Sequence, residues 1–378
     1  MSTTTRDFVA ILFLAFVVVP AWAAPAAGPP LSIDGDFPAG NIHVDRIEGD
    51  DVFIRQDLRD TGGWWFYWHF RVRQGGGRTV RFHFTNKNVF GPQGPAYSLD
   101  GGATWLWLGP KCSNADQPPP KDGFVFRFPA DAANVRFCFT IPYTESELRQ
   151  FLSQHGSFSS LKTGVLCKTA KGRCVEVLYL GRLDGQPDYR LAFTCRHHAC
   201  ESLASYVLEG LMEAVLAEDE TGRWFRQHAA VAAIKKFLPE WSGGRLDMAI
   251  DLHCPYIHDN LIQFIGGRDQ GIWQRTLKLS QCLESCQTGP LHHDAKRNVP
   301  FGTSWNQGSG LKSLTFAAWA SGLPNIQIAT TIETPYSQVG QTPQSAAAAR
   351  RFGRDLAVSI KTYLEKESRP IVGKVQGH

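Results

Sequence analysis

The sequence predicts an α/β protein in which a mixed sheet flanked by helices is preceded by an antiparallel β-sandwich domain. Two observations support this. From about Leu31 to Tyr143, hydrophobic and polar residues alternate with a period of two, and glycine and aspartate turns interrupt the pattern. Beyond Pro142, short apolar strands alternate with segments of helical spacing, as in sheets with helices on their faces.

The 378 residues are enough for about two domains. We place a β-sandwich domain at residues 31–143 and the mixed-sheet domain at residues 144–370, after a signal peptide at residues 1–23. Hydrophobic residues make up 43% of the chain and aromatic residues 12%, which indicates large packed cores. The net charge of +4 is small and diffuse, so a nucleic-acid partner is not expected.

The first residues resemble a secretory signal. Arg6 gives a thin positive region, Phe8 to Val19 form a short apolar core, and Ala21-Trp22-Ala23 fits a cleavage site. The apolar run is short for a membrane span, although a retained anchor is an alternative. No later segment is apolar for long enough to span a bilayer. We therefore expect a secreted or periplasmic protein without a stable membrane span after signal removal.

All nine cysteines follow this segment, and export would permit disulfides. The odd count leaves at least one thiol unpaired in a monomer. Cys167 and Cys174 flank a predicted hairpin turn and could be neighbours across two strands. The sequence does not settle the pairing.

In the first domain, alternation is clearest in "WWFYWHFRV", where Trp64, Phe66, Trp68, Phe70 and Val72 share one face of a predicted strand. Phenylalanine and valine alternate in the same way at 80–84, 124–128 and 135–139. These four segments predict the core strands of the sandwich.

In the second domain, "TESELRQFL" begins with a helix cap at Thr144. A helix is predicted from Ser202 to about Glu218, and a last helix from Thr342-Pro343 to about Glu367. Another helix is predicted at "AAVAAIKKFLP", residues 229–239. The predicted strands are "VEVLYLGRL", "YRLAFTC", "LDMAIDLHC" and "NIQIATTIE".

Three polar residues stand at or just past the ends of these apolar strands, where sites gather in such sheets: His198, His253 and Glu333. Zinc in hydrolases commonly takes three His or Glu ligands and leaves a position for water. The spacing of His198 and Glu201 would let both face one point from one helical turn. A further carboxylate can then exchange protons with the water.

Each of these residues also has a structural explanation. Glu201 could merely favour a helix N-terminus, and His253 could be a hydrogen-bonded histidine at a strand end. A glutamate ending a buried strand, like Glu333, is harder to explain without a partner. We therefore predict the site from the combination, with His198, Glu201 and His253 as metal ligands.

Neighbouring polar residues are expected to have other roles. His197 should not share the face of Glu201, although Asp251 should share that of His253. Cys200 and Cys254 flank predicted ligands and are interpreted as packing residues or a disulfide pair. The remaining loop histidines are expected at the surface: His258, His292 and His293.

At these residues the chain resembles the zinc metallocarboxypeptidases, in particular their cytosolic-carboxypeptidase-like branch. The matching segments are "RHHACE", "DLHCPY" and "TTIETPY" at the site, "WWFYWHF" in the β-domain, and "IPYTESELRQFL" between the domains. The resemblance implies that His198, Glu201 and His253 bind one Zn²⁺ and that Glu333 is the general base. It also implies a carboxypeptidase-like fold and hydrolysis of C-terminal peptide bonds, through zinc-activated water, on peptide or protein C-termini.

The chain departs from this family between the second and third ligands. Only about fifty residues separate Glu201 from His253, where relatives have about a hundred, including an N-P-D-G-like segment with arginine and asparagine. The resemblance assigns those side chains to the scissile carbonyl and to the substrate carboxylate. Compared with the family it resembles, the chain lacks a block near Ala229 to Val231, and losing an oxyanion stabiliser typically costs roughly 10²–10³ in rate. Four arginines are possible substitutes, although surface salt bridges suit them as well: Arg196, Arg223, Arg226 and Arg245.

Three functions remain open from the sequence. The first is an exported zinc metallocarboxypeptidase. The second is a degenerate relative that binds zinc and peptides, or has a structural role, with little or no catalysis. The third is an N-acyl amino acid deacylase with the same metal site, a group that lacks an aromatic β-domain in front.

Overall fold

The computed structural model describes residues 30–59, 61, 67–183, 186–232, 242, 244–307 and 315–367. The predicted signal peptide at 1–23 lies outside these residues, as do Trp64 and Phe66 of the aromatic strand. Within the described residues, no helix has the length and apolar character needed to cross a membrane.

The N-terminal part consists of two sheets, with strand orders β1-β4-β9-β6-β7 and β2-β3-β5-β8. Neighbouring strands are antiparallel, except that β3 and β5 run parallel. The strands are β1 (Ser32–Asp34), β2 (His43–Glu48), β3 (Asp51–Arg55), β4 (His69–Arg73), β5 (Thr79–Phe84), β6 (Ala96–Ser98), β7 (Leu106–Trp107), β8 (Gly123–Arg127) and β9 (Asn134–Cys138).

Aromatic side chains from both sheets form the core between them. The ring of Phe70 on β4 lies 5.4 Å from Phe82 on β5 and 5.4 Å from Phe137 on β9. All three side chains are fully buried, as the alternation predicts. Burial of such large rings supplies most of the free energy that holds the two sheets together.

Helix α1 (Glu145–His155) connects this part to the second sheet, and its capping box is the one that "TESE" predicts. The Thr144 side chain accepts from the Ser146 amide, and Glu147 accepts from the Thr144 amide at 2.6 Å.

The second part is a seven-stranded sheet in the order β10-β11-β13-β12-β14-β16-β15. Strands β13, β12, β14 and β16 are parallel, so their carboxyl ends meet at one edge. The strands are β10 (Leu161–Lys168), β11 (Cys174–Gly181), β12 (Tyr189–Cys195), β13 (Ala229–Ala232), β14 (Met248–His253), β15 (Gln263–Ile265) and β16 (Ile328–Glu333). A small hairpin follows, β17 (Gln338–Val339) and β18 (Thr342–Pro343).

The remaining helices pack on this sheet and on one another, above all α2 against the last helix. They are α2 (Ser202–Leu216), α3 (Glu220–His228), α4 (Gln270–Cys286), α5 (Phe316–Ala320) and α6 (Ala346–Lys366), with a 3₁₀ turn at Ala295–Arg297. The mixed sheet with flanking helices, preceded by a β-sandwich, confirms the predicted fold class.

Two predicted helices differ from the structure. The last helix begins at Ala346 with Ser345 as its cap, because Thr342 and Pro343 pair with β17 instead. Residues 229–232 of the predicted helix 229–239 form strand β13, and 233–239 lie outside the described residues. Pairing with β11 and β12 on both sides outweighs the helical preference of this alanine-rich segment.

Candidate metal centre

Three chain segments bring the predicted site residues to one edge of the sheet. In the parallel register of β14 and β16, His253 is directly opposite Glu333. His198 lies in the loop after β12, and Glu201 is the residue just before α2. The prediction that His198 and Glu201 share a helical turn is wrong in detail. A non-helical turn brings them together, and in it the Glu201 N–H donates to His198 O at 3.2 Å.

Both imidazoles meet the buried carboxylate of Glu201. His198 Nδ1 is 2.7 Å from Glu201 Oε1, and His253 Nδ1 is 3.0 Å from Glu201 Oε2. One ligand atom from each of the three residues lies within 4.8 Å of the others, so one ion could contact all of them. Glu201 is 2% exposed, and its Oε2 accepts no hydrogen bond of good geometry from the described residues. The His-His-Glu donor set, with its three ligand atoms around one point, fits a zinc ion.

The charges of these groups depend on one another. Although burial disfavours the imidazolium of His253, hydrogen bonds and charges of Asp251 and Glu201 raise its pKa to about 10. The hydrogen bond to Glu201 likewise raises the pKa of His198. Burial works against ionisation of Glu201, but its contacts with His198 and His253 lower its pKa. Without a cation, protons on the two histidines therefore balance the buried carboxylates.

A second layer of side chains fixes the His253 ring through Asp251. Asp251 Oδ2 lies 2.9 Å from His253 Nε2, while Oδ1 lies 2.9 Å from His197 Nδ1 and accepts from Thr194 Oγ1 at 2.6 Å. Asp251 is opposite Thr194 in the register of β12 and β14. A carboxylate on the far nitrogen of a ligand histidine sets its tautomer and orientation.

His197, Asp251 and His253 could form another group of metal ligands. Asp251, however, is already engaged by three side chains, including Nε2 of His253. We therefore interpret this group as support for the His198, Glu201 and His253 cluster. Sequence reasoning predicted that Asp251 shares the face of His253 but missed the contributions of His197 and Thr194.

Glu333 lies at the end of β16, beside His253. Burial is the largest influence on its carboxyl group and raises its pKa to about 7. Its Oε2 is buried and has no hydrogen-bond partner among the described residues. A carboxyl group with a pKa near neutrality can both accept and return a proton, as general base and acid must.

The neighbouring residues are placed as follows. Cys200 and Cys254 are buried free thiols, and Cys200 Sγ is 3.3 Å from Tyr336 Oη, so packing rather than a disulfide describes them. His258 and His292 are exposed as expected. The surface prediction for His293 is wrong: it is 2% exposed, because the ring fits between Ser280 Oγ at 2.7 Å and Ile262 O at 3.1 Å.

The four arginines considered as substitutes mostly bind backbone carbonyls. Arg196, in the loop that carries His198, donates to Tyr143 O at 2.9 Å and Ala199 O at 2.8 Å, and has a left-handed φ of 63°. Within the described residues, Arg226 is the one of the four that pairs with a carboxylate, that of Glu218 at 3.2 Å. Arg223 donates to Glu218 O and Arg245 to Pro187 O. In the part of the chain that the structure describes, the expected alternative of a surface salt bridge is thus found at Arg226 and not at the other three.

Comparisons with known proteins agree with this architecture. A metallocarboxypeptidase of Pseudomonas aeruginosa, solved in complex with (2-guanidinoethylmercapto)succinic acid, superposes with a TM-score of 0.70 and 18% identity. The match covers 89% of this chain and 100% of that one. A metallocarboxypeptidase of Burkholderia cenocepacia gives a TM-score of 0.71 and 14% identity over 89% and 100% of the two chains.

Among curated proteins, cytosolic carboxypeptidase 6 of Caenorhabditis elegans is 23% identical over 222 residues, which is 52% of this chain. The match spans 47% of the relative, or about half its length. No family model matches the chain. The predicted resemblance is thus confirmed: the chain has the metallocarboxypeptidase fold, and its sequence is similar to a cytosolic carboxypeptidase.

Proposed function

We propose that this protein is a zinc-dependent metallocarboxypeptidase that hydrolyses C-terminal peptide bonds. The observation that carries the proposal is the convergence of His198, Glu201 and His253, with Glu333 beside them, in a chain of this fold. Zinc bound by the first three residues would act as a Lewis acid on the scissile carbonyl and lower the pKa of a water molecule.

The side chains of the protein have distinct tasks in this proposal. His198, Glu201 and His253 hold the metal, and Asp251 orients His253 by accepting from Nε2. Glu333, with its raised pKa, takes a proton from the attacking water and returns it to the leaving amine. Substrates would be peptide or protein C-termini, and the signal-like residues 1–23 support export.

The test is a comparison of Glu333→Gln with the unaltered chain. The variant should bind one zinc per chain as tightly but release C-terminal residues roughly 10²–10⁴ times more slowly, since it lacks the base. Zinc is measured by elemental analysis and release by mass spectrometry of a peptide panel. Glu284→Gln, on the exposed side of α4, is the matched control and should retain full activity.

Zinc binding without release from any peptide would contradict the catalytic proposal and favour the second candidate, a zinc-containing peptide-binding module. The short interval of about fifty residues between Glu201 and His253 favours that candidate, because it lacks the segment with substrate-binding arginine and asparagine in relatives. If Glu333→Gln released C-terminal residues as fast as the unaltered chain, the general base would have to be another group.

Export is tested separately. The full chain, expressed in a secreting host, should appear outside the cytoplasm with its N-terminus at residue 24. A cytoplasmic product that retains residues 1–23 would contradict export but leave the metal site unaffected.

A further inference from the structure

Strand β2 forms one margin of the four-stranded sheet in the sandwich. Within the described residues it pairs with β3 on one side and with no strand on the other. All six of its residues, His43–Glu48, are exposed, and they belong to both faces of the strand. A strand at a sheet margin presents backbone N–H and C=O groups to which a further strand can pair.

Two apolar residues of β2 point to the core side of the sheet but lie at its margin. In the register with β3, Val44 is opposite Ile54 and Ile47 is opposite Val52. Ile54 and Val52 are fully buried, whereas Val44 is 36% and Ile47 is 39% exposed. A partner that covered these two side chains would therefore gain the free energy of burying their apolar surface.

A β-bulge gives β2 one apolar and one charged face. The register with β3 passes from Val44 directly to Arg46, so Asp45 is an extra residue and the alternation of faces shifts by one position. The Arg46 guanidinium lies 3.5 Å from the centroid of the Phe53 ring on the outer face and donates to Glu48 Oε1 at 2.7 Å. Because of the bulge, Val44 and Ile47 share the opposite face although they are three positions apart.

The residue order of β2, "HVDRIE", is complementary to itself when two copies run antiparallel. If a two-fold axis passes between Asp45 and Arg46, every directly opposed pair joins residues of the same face. Three pairs then form, each of them twice: Asp45 with Arg46, Val44 with Ile47, and His43 with Glu48. Opposite charges and apolar side chains directly across two strands are stabilising, and like charges are destabilising. An axis through Asp45 or through Arg46 would instead place like charges opposite each other, so one register is favoured.

We propose that β2 is the contact between two copies of this chain, paired antiparallel about a two-fold axis perpendicular to the sheet. The two four-stranded sheets then form one continuous sheet across the dimer. A bulge and charged side chains often protect a margin strand from such pairing. The charges of β2 are ordered so that they attract a second copy, and its core-side face is apolar.

The dimer should be weak and reversible. Two six-residue strands bury less surface than a standard protein interface, so we expect a dissociation constant on the order of micromolar. None of the β2 residues belongs to the proposed metal centre, and the proposal does not depend on the proposed function.

The experiment is sedimentation equilibrium of the purified chain over a series of concentrations around micromolar. The unaltered chain should pass from monomer to dimer as its concentration rises. In Arg46→Asp, two acidic positions face each other twice across the axis, and in Asp45→Arg two basic positions do. Each substitution should weaken the dimer roughly tenfold or more.

A mixture of the two variants is the decisive measurement. When Arg46→Asp pairs with Asp45→Arg, both opposed pairs again join opposite charges, so the mixture should form a heterodimer with about the affinity of the unaltered chain. Each substitution also removes a contact within its own chain, Arg46 with Phe53 or Asp45 with Arg55. Mixing cannot restore those contacts, so recovery of the dimer would identify the contact between copies as its cause.

The apolar face is tested by Ile47→Asn, which should weaken the dimer several-fold by removing its contact with Val44 of the second copy. Leu106→Asn is the matched control, because Leu106 is 55% exposed on a strand of the other sheet and should not affect association.

An unaltered chain that stays monomeric over the whole series would overturn the proposal, whatever else covers the margin. A dimer that persists in Arg46→Asp and Asp45→Arg would place the contact elsewhere on the molecule and overturn it as well. So would two weakened variants that fail to associate when mixed.

Discussion

At the scale of single residues, Asp251 holds the ring of His253, the proposed metal ligand. It is 1% exposed and links His253 to Thr194 and His197. We predict that Asp251→Asn weakens zinc affinity roughly 10- to 100-fold, because the amide cannot accept from all three groups. Competition with a fluorescent chelator measures the affinity. Asp259→Asn, on the loop after the same strand, should bind zinc normally, and an equal loss in both variants would contradict the role of Asp251.

His253 also gives the metal-free protein a defined dependence of stability on pH. Its pKa is about 10 in the folded chain against an ordinary 6.5, so the folded state holds the proton more strongly than the unfolded state. This stabilisation is complete below pH 6.5 and is lost as the pH rises to about 10. Urea unfolding in the presence of a chelator should show that the free energy of unfolding declines over that pH range. The decline should be smaller in His253→Gln. Parallel pH profiles of the two proteins would contradict the assignment.

The residues of the site were predictable where chemistry and position coincide. Imidazole and carboxylate groups at the ends of apolar strands identified His198, His253 and Glu333, and the three-residue spacing from His198 added Glu201 to the candidate cluster. The parts that escaped prediction depend on contacts between distant segments. His197 was excluded from the site because it should not share a face with Glu201, yet its ring contacts Asp251, which is distant in sequence. His293 belongs to a polar stretch of sequence, yet α4 covers its ring.

At the scale of elements, two glycines allow α2 and α6 to approach closely and thereby hold Glu201 at the start of α2. A Cβ on Gly353 would lie 1.9 Å from Val207 O, and one on Gly210 would lie 1.9 Å from Arg350 O. We predict that Gly353→Ala lowers the free energy of unfolding by roughly 1–3 kcal/mol, since overpacking outweighs the helix propensity of alanine. It should also weaken zinc binding through displacement of Glu201.

Gly271→Ala is the matched control for this helix contact. It is exposed in the first turn of α4, where a Cβ would meet only side-chain ends, Asp269 Oδ1 at 3.2 Å and Arg275 Nη1 at 3.5 Å. Its free energy of unfolding should stay the same or rise by up to about 1 kcal/mol. Chemical denaturation compares the two variants. An unchanged free energy of unfolding in Gly353→Ala would show that α2 and α6 can move apart without loss of stability.

The elements themselves were predictable to the extent that local pattern determines them. The capping box at Thr144 and the alternating phenylalanines of the sandwich were read correctly because each signal is local. Strand β13 was not, because four small residues between two strands are indistinguishable in sequence from part of a helix. The start of α6 was missed because Thr342-Pro343 imitates a helix start and only pairing with Gln338–Val339 distinguishes the two cases.

At the scale of the whole molecule, the sandwich packs on the segment that follows the proposed general base. Thr140 Oγ1 donates to Tyr336 O at 2.9 Å, and Trp107 Nε1 donates to Gln344 O at 2.7 Å. Phe139 lies 5.1 Å from the Tyr336 ring, and Tyr336 Oη in turn contacts Cys200, which precedes the proposed ligand Glu201. Buried residues of both parts belong to one continuous hydrophobic cluster.

Because the two parts share this core, we predict that they unfold in a single cooperative transition, and that zinc raises the Tm of the whole chain rather than of the second part alone. Calorimetry should give equal calorimetric and van't Hoff enthalpies, and the shift with zinc should follow from binding to the folded state only. Trp107→Phe, which removes the donor to Gln344 O but retains most of the ring, should lower the Tm without splitting the transition. Two separate transitions, with zinc moving only one, would mean that the sandwich is an independent module and that its contacts with Tyr336 and Gln344 do not stabilise the metal centre.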